Sequence, residues 1–391
     1  MPEIYRPRFS RRTLKVLLWL LPGLILLLAS LGPDENSAPA IHQEPGRALY
    51  WLHQPDSPAN QVRLLFATDI AITPDQLTAQ QALAAELESR LSKTDRPVTV
   101  SPRTDRLEVS IRWPAGGEGP DLSALLDELA APLAPAPLAR QLQRLRARDY
   151  LESRSPDQLL LNSYRLNLLT TPVQDVSVQW LQARQTLLAE QVPLVLIGGP
   201  DADAFAARAA AALPAGMSRE PVSAARLPPE PRLRLVLEDA RQPAMRLLGG
   251  PAPGRDNAGY AAELIAFGSL QRLLDRQPGL QYRLLWQPLH RGGFRALILP
   301  ASIGDPRALL REAEAPVGTA REQLEREYRS RLDSADGQLD LLADIAFYRL
   351  PDRRLDALAD ALQSAAKDDI AARMSHYLDP EPWIRIDLND P

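Results

Sequence analysis

Two stretches of this sequence, on either side of the proline-rich segment 221–232, run through the same order of strand and helix signals. In the first, residues 48–52 and 62–68 carry the apolar, β-branched and aromatic character of strands, and 75–92 follows as a helix with Leu77, Ala84, Leu87 and Leu91 on one face. Residues 106–113 then alternate, with Leu107, Val109, Ile111 and Trp113 on one side and Arg106, Glu108, Ser110 and Arg112 on the other, the pattern of a half-buried strand. Helical segments at 121–131, 138–152, 157–169 and 176–188 lead to a short apolar strand at 194–197 and one more helix at 201–212. The second stretch repeats this: strands 233–238 and 244–248, a helix over 260–275, and strands 281–286 and 294–299 joined through the tight turn Arg291, Gly292, Gly293. Helices at 307–314, 320–332, 338–348, 355–366 and 368–377 and a last strand at 383–388 complete it. A repeat of such long period predicts two α+β domains of one fold, each a mainly antiparallel sheet packed by several helices, over 47–220 and 233–391.

Composition narrows the function classes. A chain of 391 residues exceeds what one core supports, which agrees with two domains. Aromatics make up only 5% of residues, so the cores must be built mostly from Leu, Ala and Val. A net charge of -4, with basic residues clustered only at the N-terminus, leaves no electrostatic footprint for nucleic acid in either domain. The absence of cysteine removes disulfides, thiol nucleophiles, thiolate-bound zinc and a lipoprotein anchor.

The N-terminus points to a membrane. Residues 16–32 carry no charge, follow Arg6, Arg8, Arg11, Arg12 and Lys15, and precede Asp34 and Glu35. At about 1.5 Å per residue the run just spans a hydrocarbon core of about 30 Å. Basic flanks stay in the cytoplasm, so residues 1–15 are expected there, 16–32 in the bacterial inner membrane as a transmembrane helix, 33–46 as a polar tether, and the rest in the periplasm. A cleaved signal peptide is the rival reading, because Ala38, Pro39 and Ala40 form an A-x-A pattern downstream.

In its duplicated order and spacing, the stretch 47–391 resembles the pitrilysin/insulinase family of zinc peptidases, which includes the mitochondrial processing peptidases. Two local segments carry the likeness best. Leu247, Leu248, Gly249, Gly250, Pro251, Ala252 and Pro253, with Arg255 and Asp256, look like the family's strand and turn before its long helix. Leu274 to Tyr282 looks like its L-R-x-x-x-G-L-x-Y segment, with Gly279, Leu280 and Tyr282 in register and Asp275 at the arginine position. The resemblance implies a peptide contact for Tyr282. Arg276, one residue from the arginine position, points about 100° away around a helix.

The resemblance also places H-x-x-E-H on the helix after the second strand, where two histidines one turn apart bind zinc and the glutamate activates water. The matching helix here, around Thr78 to Glu88, contains no histidine, and Glu86 and Glu88 diverge by about 200°. His42, His53, His290 and His376 are scattered through tether, strand end, hairpin turn and C-terminal helix, the usual setting of solvated or capping histidines. No metal, cofactor or catalytic residue is therefore expected.

Two further patterns read as structure. Gly198, Gly199, Pro200 and Asp201 suggest a phosphate loop, but Pro200 removes a donor and Asp201 is a helix N-cap that repels phosphate. Phe267, Gly268 and Ser269 lie within a helix, so no serine nucleophile is set on a strained turn. The expected function is that of a non-catalytic partner subunit of an active zinc peptidase of this family, sharing in peptide binding. Two alternatives stay open: a stand-alone scaffold that binds peptides, unfolded polypeptide or envelope proteins, and a divergent active metallopeptidase.

Overall fold

Residues 38–92, 96–152, 154–168, 176–221, 233–311, 316–379 and 381–389 are described in the computed structural model. The segments 1–15 and 16–32 and most of the 221–232 linker lie outside them. Among the described residues no helix is long and apolar enough to cross a membrane.

Each half builds one sheet, and the two sheets share a topology. The first contains β1 (His42–Gln43), β2 (Leu49–His53), β3 (Ala59–Ala67), β4 (Val98–Pro102), β5 (Arg106–Pro114) and β6 (Leu194–Gly199), in the spatial order β1-β2-β6-β3-β5-β4. The second contains β7 (Leu233–Leu237), β8 (Met245–Ala252), β9 (Arg283–Pro288), β10 (Gly293–Pro300) and β11 (Ile384–Leu388), in the order β7-β11-β8-β10-β9. Apart from β1, both orders place the half's last strand between its first two. Its partnership with the first is parallel, β2 with β6 and β7 with β11, and all other pairings are antiparallel. The sheets are thus mixed, with one parallel pair each.

Helices fall where the apolar periodicity puts them. The first half carries α1 (Pro74–Leu91), α2 (Leu122–Ala130), α3 (Pro135–Glu152), α4 (Pro156–Asn167), α5 (Val178–Ala189) and α6 (Ala202–Ala212). The second carries α7 (Tyr260–Asp275), α8 (Ala308–Arg311), α9 (Val317–Leu332), α10 (Ala335–Phe347), α11 (Ala357–Ser364) and α12 (Lys367–Tyr377). Thr73 opens α1 with a capping box, its hydroxyl taking the Gln76 amide while the Gln76 side chain returns to the Thr73 N–H.

The halves hold one another by exchanging helices. From the first half, α4 packs on β8 and β11 of the second sheet, where Tyr164 is fully buried. Its ring fits only because residue 249 is glycine: a Cβ there would lie 2.3 Å from Tyr164 Cε2. The Tyr164 hydroxyl donates to the Arg295 carbonyl at 2.7 Å. From the second half, α10 packs on β6, and a Cβ at residue 198 would lie 2.7 Å from Leu339 Cδ1. Each sheet therefore opens a glycine slot to a side chain from the other half.

Three expectations change. The polar side of β5 is not solvated: Arg106 and Glu108 are buried, because α10 covers that face, and only Arg112 is exposed. The Gly249, Gly250, Pro251 run is strand rather than turn, paired with β10 from Met245 through Ala252. The tether ends early, since His42 and Gln43 already pair with Trp51 and Tyr50.

Candidate functional site

Between the halves lies a cavity of about 990 Å³. Leu77, Gln80 and Gln81 of α1 face it, as do Tyr260 of α7 and Gln287 of β9. One wall is a chain of ion pairs linking β3 and β5 to α10. Arg63 donates to Glu108 Oε1 at 3.2 Å and to Asp340 Oδ1 at 2.5 Å, and beyond the wall, on the surface, Arg112 reaches Asp336 Oδ1 at 2.6 Å.

Asp344 is the hub of this wall. Its Oδ1 accepts from Arg106 of the first half at 3.3 Å and its Oδ2 from Arg255 of the second at 2.8 Å. Burial alone would raise the Asp344 carboxyl, but Arg255 and Arg106 hold it below the usual carboxylate range. Tyr348 donates to Asp105 Oδ2 at 2.8 Å, and burial together with Asp105 pushes its phenol above the ordinary tyrosine value. Both guanidinium groups also lie over aromatic faces, Arg106 4.9 Å from the Phe347 ring centre and Arg255 4.9 Å from that of Tyr348.

Tyr282 and Arg276 sit together at the end of α7, away from the residues that line the cavity. Arg276 is the C-cap residue and is exposed. The Tyr282 ring packs half-buried on the α7 core, and its hydroxyl donates to Asp275 Oδ1 at 2.5 Å, with the Gln271 carbonyl a second acceptor at 3.2 Å. Burial and the Asp275 carboxylate both raise the Tyr282 phenol. The aspartate at the family's arginine position therefore ties the tyrosine to its own helix.

No protein-family model and no curated protein sequence matches the chain. Solved structures do match over nearly its whole length. A peptidase M16 inactive domain from Pseudomonas fluorescens aligns with 90% of this chain and 97% of its own at 17% identity and a TM-score of 0.63. A protease from Helicobacter pylori aligns with 90% of this chain and all of its own, at 12% identity and a TM-score of 0.66. A chain of complex III2 from Candida albicans aligns with 84% of this chain and 90% of its own, at 13% identity and a TM-score of 0.56. The chain has the M16 peptidase fold. This is the pitrilysin/insulinase architecture that the duplicated order implies.

With the M16 fold in place, α1 stands where the resemblance puts the zinc helix, and its residues do not fit a zinc ion. Toward the cavity it presents the amides of Gln80 and Gln81, and Gln80 already donates to Thr68 Oγ1 at 3.1 Å. Glu88 accepts from the Val100 backbone at 2.8 Å on another side. Among the described residues no three His, Asp or Glu side chains converge as a metal-ligand set. Amide nitrogens and methyl groups supply no donors of the kind zinc requires.

The histidines are dispersed. His53 meets Asp203 at 3.2 Å on the surface, His42 stacks on Trp51, and His376 is exposed. His290, in contrast to the solvated place expected for it, is buried beside Tyr348 with its Nδ1 unpartnered. Asp201 also departs from expectation: it does not cap α6 through its side chain. Its Oδ2 instead accepts from Asn60 at 2.8 Å and from the Gly116 backbone at 2.7 Å, tying the glycine turn to β3 and to the loop after β5.

The residues that the sequence reading missed are the wall charges Arg63, Arg106, Arg255 and Asp344. Arg106 and Glu108 lay in plain view as the polar side of an alternating strand. The one available signal was the run of acidic residues Asp336, Asp340 and Asp344 at helical spacing, matching the arginines of two strands far away in sequence.

Proposed function

We propose that this chain is a non-catalytic M16-type subunit, anchored by residues 16–32 in the bacterial inner membrane and facing the periplasm, that pairs with a zinc-bearing homologue and shares in binding peptide. One observation carries this reading: the helix exchange, both glycine slots and the inter-half cavity are intact, while the helix that should donate metal ligands faces the cavity with amides. Selection for a fold without its chemistry fits a structural and binding role. The resemblance to an M16 inactive domain and to a chain of complex III2 supports a partner role by analogy.

In this role the free edge of β9 offers an unpaired backbone to an extended peptide. Tyr282 immediately precedes that edge, and Arg276, exposed at the end of α7, is available to a carboxylate or carbonyl of the bound chain. The alternative is a scaffold that captures peptide without a homologue. Metal analysis and a peptide-cleavage assay on the isolated protein test the central reading: neither bound zinc nor cleavage is expected, and stoichiometric zinc with proteolysis refutes it. Peptide binding by the isolated chain at full affinity favours the scaffold.

A further inference from the structure

Beside the central cavity, α1, α3 and α4 enclose a second cleft of about 490 Å³. On α4, Gln158, Asn162 and Arg165 share the face that lines it, at the i, i+4, i+7 spacing of one helix stripe. Arg165 is partly buried, and among the described residues its guanidinium has no carboxylate partner and donates no hydrogen bond. Burial and the nearby Arg283 push it down to about 10, far from the ordinary guanidinium value. Arg283 itself is neutralised by Asp157 at 2.6 Å. A desolvated cation without a counter-ion is costly unless something supplies the charge.

Nearby chemistry defines what that something is. Arg146 also lines the cleft, and its guanidinium donates to the Val176 carbonyl at 2.7 Å rather than to an acid. Against Arg146, Arg148 and Arg165 stand the carboxylates of Asp75 and Asp149, the latter accepting from the Thr78 hydroxyl. Of these cations Arg165 is the one with neither a carboxylate nor another acceptor among the described residues, and a carboxylate of the bound chain would supply one. Asp75 and Asp149 line the same cleft and disfavour a doubly charged phosphate more than a singly charged carboxylate. The amides of Gln81 and Asn162 line the same cleft and suit the peptide groups that accompany such an anion, while Gln158 is held between Arg283 and Asn162.

We infer that this cleft binds one carboxylate of an extended peptide, from its C-terminus or an acidic side chain, with Arg165 as the bidentate partner and Arg146 beside it. The inference rests on the peptide-binding part of the proposed function and supplies its recognition chemistry. It calls for no metal and no partner subunit.

The test uses full-length protein in detergent and three N-terminally labelled decapeptides: one with a free C-terminal carboxylate, the same peptide amidated, and the amidated peptide carrying one internal glutamate. Fluorescence anisotropy should give at least tenfold tighter binding for one or both acidic peptides than for the neutral one. Arg165→Gln should bind all three as weakly as the neutral peptide, Arg165→Lys should keep part of the preference, and acetate should compete better than inorganic phosphate. Equal affinity for all three peptides, a preference that survives Arg165→Gln, stronger competition by phosphate, or no saturable binding would each overturn it. Copurification of a homologue, read on the same preparations, bears on the partner role alone, so the two failures are told apart.

Discussion

Asp344 accepts from a guanidinium of each half, so one carboxylate closes the seam between them. Replacing it with asparagine leaves Arg106 and Arg255 without their shared ion-pair partner, with Asp105 the remaining nearby anion, and should cost about 3 kcal/mol in urea unfolding. The pH dependence has a fixed sign. Asp344 titrates lower in the folded chain than the unfolded value of about 3.9. Its contribution is therefore complete at neutral pH, starts to fade as pH drops toward that value, and is lost as pH falls through the lower folded value. Melting between pH 7 and pH 3 should show a steeper acid loss for the native chain than for Asp344→Asn. Arg165 predicts the opposite outcome: Arg165→Gln removes an uncompensated charge and should leave the melting temperature unchanged or raised.

Among the elements, α4 and α10 decide whether the halves stay together, and their slots can be probed directly. Tyr164→Phe loses the hydrogen bond to the Arg295 carbonyl and should cost about 1 kcal/mol, whereas Tyr164→Ala empties the slot and should cost about 3 to 5 kcal/mol. Gly249→Ala drives a methyl into the Tyr164 ring and should destabilise by about 1 to 3 kcal/mol. Calorimetry on each variant reads these values. The elements themselves were legible because local pattern sets them: α7 runs from Tyr260 to Asp275, as its apolar spacing predicts, and β5 alternates as expected. β4 gives no clear strand signal because Val98–Pro102 ends in a proline, which is tolerated here because β4 is the edge of its sheet. The buried polar face of β5 was illegible for a different reason. Its cover, α10, lies more than two hundred residues downstream, and no local pattern encodes that contact.

At the scale of the molecule, the duplicated order in the sequence becomes two sheets of identical strand connection, so the fold was readable almost whole. The site was readable only in part. That α1 lacks histidine is visible in a single line of residues, whereas the charged wall and the Arg165 cleft arise from segments that meet only after folding. On the proposed reading, a chain with the M16 fold and no histidine on α1 holds peptide in its cavity without cleaving it. Affinity purification of the tagged full-length chain from solubilised membranes tests that account most directly. It predicts an equimolar M16-type chain bearing H-x-x-E-H, with zinc and peptidase activity found in the complex and absent from the isolated subunit. Recovery of the chain alone, holding zinc and cleaving peptide, would contradict it.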